Sequence, residues 1–471
     1  MARTIAREYY DKECLAASFF FSRGGGDVSN AAKFVGSIAA QLAQKLPAFR
    51  NLLQEAISND EGIVNRILKD QWKELILQPL SKLEAGSFRA PLLTVIDALD
   101  ECEKESDIRQ VLQLLSDSRG LIRARFRILI TSRPEIPIRH GFSQVPDGEH
   151  QDFVLHDISR SIVDHDISLF LEHNLSIIRQ KRTLVTDWPG EQAIRDLVRK
   201  AAGLFIWAAT VCRFIDEGRR LAARRLSLIL QGDASITKPE EELNKIYVTV
   251  LKNSIGHEFD EQEKEDLYKL LRETLGAIAV LFSPLSTTSL AELLHIPKEE
   301  VDQTLEDLHS ILDIPEDPGR PIRLHHPSFR DFLLDAQRCS DPHFWVDKKK
   351  AHATLADTCI RLMSDRLRRD ICGLRAPGVF VRDVEHDRIG QCLPAELQYA
   401  CHYWVQHLQE SETQLLDNGQ VHVFLQEHLL HWLEALSLTR KTSEGVLAIT
   451  SLECLVVVSD SPSVLEISRN L

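Results

Sequence analysis

Leu92-Leu93-Thr94-Val95-Ile96-Asp97-Ala98-Leu99-Asp100-Glu101-Cys102-Glu103 passes from an unbroken apolar run into a cluster of carboxylates. Residues 92–96, closed by Asp97, read as a strand buried on both faces, the kind found in the middle of a parallel sheet. Ligands of such sheets bind beyond the carboxyl ends of the strands. An aspartate there, Asp97, can hold Mg²⁺ through a carboxylate oxygen or its water. Further acids nearby, Asp100 and Glu101, can orient an attacking water on a nucleotide phosphate. A plainer reading is a buried strand followed by the acidic first turn of a helix. Taken alone the stretch leaves both open, because short motifs recur by chance.

Phe126-Arg127-Ile128-Leu129-Ile130-Thr131-Ser132-Arg133-Pro134 is a second β-rich run, ending in polar residues and an arginine. Arginine offers a fixed fork of donors suited to phosphate oxygens, and Pro134 stops the strand. Between the two runs, Ile108, Val111, Leu112, Leu115 and Leu121 recur near helical spacing within residues 107–123, so the order is strand, helix, strand. The pair resembles the Walker B and sensor strands of a P-loop NTPase of the NACHT family, within the signal-transducing class called STAND. Further stretches resemble fungal NACHT proteins of the nephrocystin-3-like N-terminal type, all in one order. They are Ala16-Ala17-Ser18-Phe19-Phe20-Phe21-Ser22-Arg23, the helix over residues 34–46, Asp157-Ile158, residues 164–171, and Gly203-Leu204-Phe205-Ile206-Trp207-Ala208. His326-Pro327-Ser328-Phe329-Arg330-Asp331-Phe332 and Tyr399-Ala400-Cys401-His402-Tyr403-Trp404-Val405 continue the likeness.

The resemblance implies a nucleotide cofactor, ATP/ADP or GTP with Mg²⁺. It places Asp97 on the metal, Asp100 and Glu101 at the attacking water, and Arg133 at the terminal phosphate. His326 falls on the winged-helix histidine that reaches the nucleotide diphosphate and holds the domains closed. An imidazole suits that task as a donor to phosphate that charges near neutral pH; the alternative is a histidine that caps or packs at a domain junction. His325 should point the other way along an exposed strand.

No G-x-x-x-x-G-K-[ST] occurs in the chain. Such a loop wraps phosphates in backbone N–H groups, while its lysine neutralises charge and its hydroxyl binds Mg²⁺. Residues 1–10 resemble the helix that follows this loop, so the chain is expected to begin just after Walker A. Gly24-Gly25-Gly26 has no lysine-serine pair after it and reads as a turn rather than a substitute anion nest. Nucleotide binding by this chain is therefore expected to be weak. The strand that precedes Walker A lies inside such sheets, so its loss is expected to leave an unpaired edge at Val95 and Ile96 or along residues 128–130.

Length and composition agree with a multidomain protein of the cytoplasm. The 471 residues have room for about three or four domains. Asp plus Glu number 70 against 56 Lys plus Arg, a formal charge of −14, which argues against a general nucleic-acid surface. Nine cysteines carry no C-x-x-C pair and read as small buried hydrophobes of a reducing compartment. No signal peptide or membrane-spanning apolar segment is visible.

The expected fold class is α/β plus α. An incomplete P-loop NTPase parallel sheet over residues 1–156, with 151–155 as its last strand, leads into a helical lid over 157–262. A winged helix over 263–345 and a C-terminal helical domain with connector over 346–471 complete the order. In the lid, Ile194, Leu197, Val198, Ala201, Leu204, Phe205 and Ala208 define one buried helical face, with Trp207 as core packing, and Lys238-Pro239-Glu240-Glu241 starts a helix. In the winged helix, Ser286-Thr287-Thr288-Ser289 caps one helix and Pro297-Lys298-Glu299-Glu300 starts another. Val301, Leu305, Leu308 and Leu312 continue at helical intervals before a strand over 322–325. Glu299, Glu300, Asp302, Glu306 and Asp307 on the third helix repel phosphates, so regulatory packing outweighs DNA binding. Lys348-Lys349-Lys350 reads as a solvated helix start. No WD-type repeat period occurs, although fungal relatives usually continue into such sensor repeats, and residues 446–458 read as the start of a connection to one.

Three functions follow: a nucleotide-regulated signalling switch that engages protein partners or self-oligomerises, an interaction protein that keeps the architecture without binding nucleotide, and an NTP-hydrolysing enzyme completed by upstream sequence or a partner.

Overall fold

In the computed structural model, β1 (Leu15–Phe20), β2 (Leu92–Asp97) and β3 (Phe126–Ile130) form a parallel sheet with β2 in the middle. The described residues are all except 61, 84–90, 117–125, 135, 143–149, 232–237, 256–258, 376–377, 416–417 and 460–471. The chain divides into two units, Met1–Phe153 and Val154–Leu471.

In the first unit, β2 is covered on both faces, as its unbroken apolar run requires. Leu93 and Val95 pack with Ala2 and Ala6 of the helix Ala2–Asp11, while Leu92 and Ile96 face a core containing Phe19, Phe34 and Trp72. Val95 and Ile96 are fully buried, each worth roughly 1.5–3 kcal/mol by apolar transfer. Phe34 opens the helix Phe34–Lys45 and lies 5.3 Å from the Phe19 ring and 6.1 Å from that of Trp72.

Of the two places expected for an unpaired edge, Val95 and Ile96 are paired on both sides, whereas residues 128–130 lie in the edge strand β3 among the described residues. Ser18 pairs with Val95 and Phe19 with Ile96 on one side, and Val95 pairs with Leu129 and Ile96 with Ile130 on the other. The two motif strands hydrogen-bond directly to each other, which satisfies both flanks of β2 and leaves β3 at the sheet's edge among the described residues. The helix between them runs Glu105–Ser116 and buries Ile108, Val111 and Leu112, whereas Leu121 lies outside the described residues. The expected last strand at 151–155 is also absent. These residues find no strand partner: 151–154 are irregular, a single 3₁₀ turn follows at Leu155–Asp157, and Phe153 is 76% exposed.

The second unit is helical around one apolar core that extends from Ile167 to Leu452. It opens with the long helix Arg160–Arg182. The periodic face expected over 191–217 is split into Glu191–Ala201 and Phe205–Glu217, because Ala202 and Gly203 take left-handed backbone with φ of 51° and 84°. A side chain at 203 would also crowd the Arg160 guanidinium at 3.2 Å. Trp207 is buried, as expected of core. Lys238 precedes the helix Pro239–Ser254, with proline in its first turn.

After the helix Glu261–Val280, Ser286 accepts a hydrogen bond from Ser289 N and caps Thr287–Leu294, and Lys298–Leu305 follows. β4 (Leu312–Asp313) and β5 (Arg323–Leu324) then pair antiparallel. Leu312 therefore belongs to a strand rather than to the helical series that Val301 and Leu305 begin, since turns at 306–310 re-aim the chain. Asp347 caps Lys348–Arg366 by accepting from Lys350 N, which accounts for the lysine run as a helix start. The helices Ala395–Ser411, Gln420–Leu438 and Thr442–Ser459 complete the unit, and the last of these contains the stretch read as a connector. No helix among the described residues is long and apolar enough to cross a membrane.

Candidate functional site: the carboxyl end of the parallel sheet

The end of β2 is shaped by one threonine on its neighbour. Ala98 adopts φ 53°, a left-handed reversal that turns the chain out of the strand. Thr131, next after β3, holds that reversal on four bonds. Its N–H donates to Ile96 O at 2.9 Å, its carbonyl accepts from Leu99 N at 3.0 Å, its hydroxyl oxygen accepts from Ala98 N at 3.0 Å, and the hydroxyl donates to Asp97 Oδ1 at 2.5 Å. Asp97 thus stands at the strand end with one carboxylate oxygen engaged by a neutral donor, an orientation suited to a cation at the other.

Asp100 and Arg133 meet. The Arg133 N–H donates to Asp100 Oδ1 at 2.9 Å, and Arg133 Nε lies 3.5 Å from Oδ2. Asp100 is 6% exposed, whereas the Arg133 side chain is 42% exposed. The acid is therefore spent on holding Arg133, and the outer part of the guanidinium reaches solvent.

A second arginine approaches from the turn after β1. Arg23 Nη2 donates to the Asp100 carbonyl at 3.0 Å, and Arg23 N donates to Glu101 Oε2 at 3.3 Å. Burial lifts the Glu101 carboxyl above the usual carboxylate range, opposed by that Arg23 N–H. Gly24 N donates to Glu103 Oε1 at 3.1 Å, and Asp107 Oδ2 accepts from Ala31 N at 3.2 Å. The acidic run thus anchors the loop after β1.

That loop is a turn. Gly24 N is taken by Glu103 and Gly25 N donates to Ser22 O at 2.8 Å, so two of the three glycine N–H groups are directed inward. A Cβ on Gly25 would lie 2.6 Å from Ser22 O and 2.8 Å from Val28 Cγ2, which is why a glycine stands there.

The structure therefore brings Asp97, Asp100, Glu101 and Arg133 to one end of one sheet. His326 lies in the other unit, where Nδ1 accepts from Ser328 N at 3.2 Å and sits 2.7 Å from Ser328 Oγ, capping the helix Pro327–Leu334. Tyr247 Oη lies 2.8 Å from the same hydroxyl. His325 Nε2 donates to the His309 carbonyl at 3.0 Å. Sequence reading overlooked Thr131, Arg23 and Glu103. Thr131 follows β3 directly and Arg23 lies in the turn three residues after β1, so a polar or charged residue just beyond a flanking strand is the signal that marks them.

Residues 1–133 match the family described as Nephrocystin 3, N-terminal, a span that takes in all three strands and ends on Arg133. The chain is also 28% identical over 390 residues to the vegetative incompatibility protein HET-E-1 of Podospora anserina, a fungal NACHT/STAND protein. Both likenesses support a fungal NACHT-like protein. The alignment covers 77% of this chain and 26% of that relative, so the chain spans about a quarter of the protein it matches. Its mostly helical fold with a small three-stranded parallel sheet is compatible with a partial P-loop NTPase fold.

Proposed function

We propose that this chain is the core of a cytoplasmic nucleotide-regulated signalling switch, with impaired nucleotide binding in the chain as it stands. The observation that carries the reading is the convergence of Asp97, Asp100, Glu101 and Arg133 at the carboxyl end of β2 and β3, where sheets of this type hold ligands. In this reading Asp97 ligates Mg²⁺ and Arg133 meets the terminal phosphate. Asp100 fixes Arg133, Glu101 lies beside the attacking water, and His326 contacts the diphosphate. The helices of 157–262 act as a lid, residues 263–345 as a winged helix and 346–471 as a helical connector to protein partners.

The donor set fits one side of a Mg²⁺-nucleotide and not the other. Asp97 and Arg133 suit the metal and terminal phosphate. A phosphate cradle needs a row of outward N–H groups and a lysine, but Gly24 and Gly25 direct theirs inward and no G-x-x-x-x-G-K sequence occurs. The Asp100–Arg133 pair, complete without a ligand, favours a second reading as an interaction protein that keeps the architecture and binds no nucleotide.

Calorimetric titration of the chain with Mg²⁺ and ATP, ADP or GTP tests the reading. Weak or no heat is expected, and micromolar affinity would overturn the impaired-binding part. Extension upstream to an in-frame Gly-Lys-Ser or Gly-Lys-Thr should restore binding. If it does not, the interaction-protein reading replaces the switch.

A further inference from the structure

The helix Arg160–Arg182 buries Ile167, Leu171, Leu175 and Ile178 and leaves a second apolar stripe facing outward. Ile162, Leu169 and Ile177 are 55%, 51% and 47% exposed, with exposed Asp166 and His173 between them. Three- and four-residue steps place all five on one face, the spacing of a helix that packs on another helix. Phe170 is half-buried beside this stripe, with the 45% exposed Phe205 edge-on to it at 6.0 Å.

We infer that this face pairs with the same face of a second copy of the chain, the two helices running antiparallel about a two-fold axis between Leu169 and Phe170. The argument is self-complementarity. With the axis there, Ile162 lies opposite the partner's Ile177, Asp166 opposite the partner's His173, and Leu169 opposite the partner's Phe170. Each apolar residue meets an apolar one and the acid meets an imidazole. The axis generates every contact twice, as an isologous interface requires. A parallel arrangement in register would instead set Asp166 against Asp166.

Flanking residues follow the same rule. Exposed His165 and Glu172 lie on one side of the stripe, and antiparallel packing brings like flanks together, so His165 approaches the partner's Glu172. Glu172 is already oriented by Ser168 Oγ, which donates to Oε1 at 2.8 Å. Aromatic and aliphatic groups at the centre with charged groups around them are the usual division of an association surface. The contact is independent of nucleotide binding at the end of β2, and its two-fold closure yields a pair rather than an open assembly.

Sedimentation of the full chain at tens of micromolar is expected to show a dimer. Asp166→Lys should weaken it at least about tenfold by placing like charges opposite each other, and Asp166→Lys with His173→Asp should return it to wild-type strength. Leu169→Glu should give a monomer with an unchanged melting profile. Ile162→Cys with Ile177→Cys should cross-link two copies under mild oxidation, while either single variant should not. A monomeric wild type, no rescue by the double charge exchange, or a dimer that survives Leu169→Glu overturns the inference. The charge exchange decides the matter even where Leu169→Glu fails to fold.

Discussion

Asp100 binds Arg133 twice, through the backbone N–H at 2.9 Å and the side-chain Nε at 3.5 Å, so the acid after β2 and the arginine after β3 form one unit. The two residues lie far apart in sequence and meet because β2 and β3 pair in parallel and end together. For the arginine to follow a terminal phosphate, its guanidinium must swing while its N–H stays on Asp100. In the proposed switch the carboxylate is then the pivot that positions Arg133.

Asp100→Asn keeps an acceptor for the Arg133 N–H and removes only the charge. Because the guanidinium is substantially exposed, the loss should be about 1 kcal/mol. Asp100→Ala also removes the acceptor and should cost about 1–3 kcal/mol. Urea melts of both variants test the difference, and equal stability of Asp100→Ala and wild type would show that the contact holds nothing.

Glu217 and Arg225 form a nearly buried ion pair, each side chain 9% exposed, with Glu217 Oε1 also accepting from His309 N at 2.8 Å. Burial pushes the Glu217 carboxyl up to about 7, against the pull of Arg225. Since the folded protein holds this proton more tightly than the unfolded chain, the stability from Glu217 is present below about 4.5 and is lost as pH rises towards about 7. Glu217→Gln should remove that decline. Thermal melts at several pH values, read as variant minus wild type, check it, and a constant difference across the window counts against the assignment.

The strand-forming runs and the sheet-end position of the acids were legible because burial on both faces leaves an unbroken apolar signature. Pairing was not: β2 gives no sign that its second flank is filled by β3, since strand order depends on chain reversals rather than composition. The break at Ala202–Gly203 was missed because the apolar residues keep helical spacing across a left-handed turn that rotates the second helix. Residues 151–155 look strand-like by residue type, yet residue type alone does not pair them, and they run irregularly into a 3₁₀ turn. The Asp100–Arg133 pair was hidden for a related reason, because each residue alone reads as pointing at a ligand.

His352 and His407 form a buried pair between the helices Lys348–Arg366 and Ala395–Ser411, with their Nδ1 atoms 2.8 Å apart. Tyr399 Oη accepts from Phe282 N at 3.1 Å and lies 2.7 Å from His407 Nε2. These contacts are satisfied when Tyr399 donates to His407 and His407 Nδ1–H donates to His352, an arrangement that needs both rings neutral. Burial lowers His352 to about 4, although Glu410 opposes it, and holds His407 well below its ordinary value. Folded values below the unfolded one mean that this stability is present above about 6.5 and is lost as pH falls towards 4. His352→Asn should flatten the acid limb between those values. An unchanged limb would show that acid unfolding starts elsewhere.

His326 carries two roles that one substitution would confuse. As a cap, its Nδ1 satisfies Ser328 N at the start of Pro327–Leu334, so His326→Ala should destabilise by about 0.5–2 kcal/mol. As the proposed diphosphate latch, its imidazole should strengthen ADP binding over ATP binding. His326→Asn separates the two, because asparagine caps a helix well and lacks the reach and charge of imidazole. In a chain extended to carry a phosphate-binding loop, the Asn variant should melt like wild type and yet lose ADP affinity about tenfold, the equivalent of one charge-assisted hydrogen bond. Arg133→Ala should weaken ATP instead. Wild-type ADP affinity in His326→Asn, together with a lowered melting temperature in His326→Ala, would leave the histidine as a helix cap and remove it from the switch.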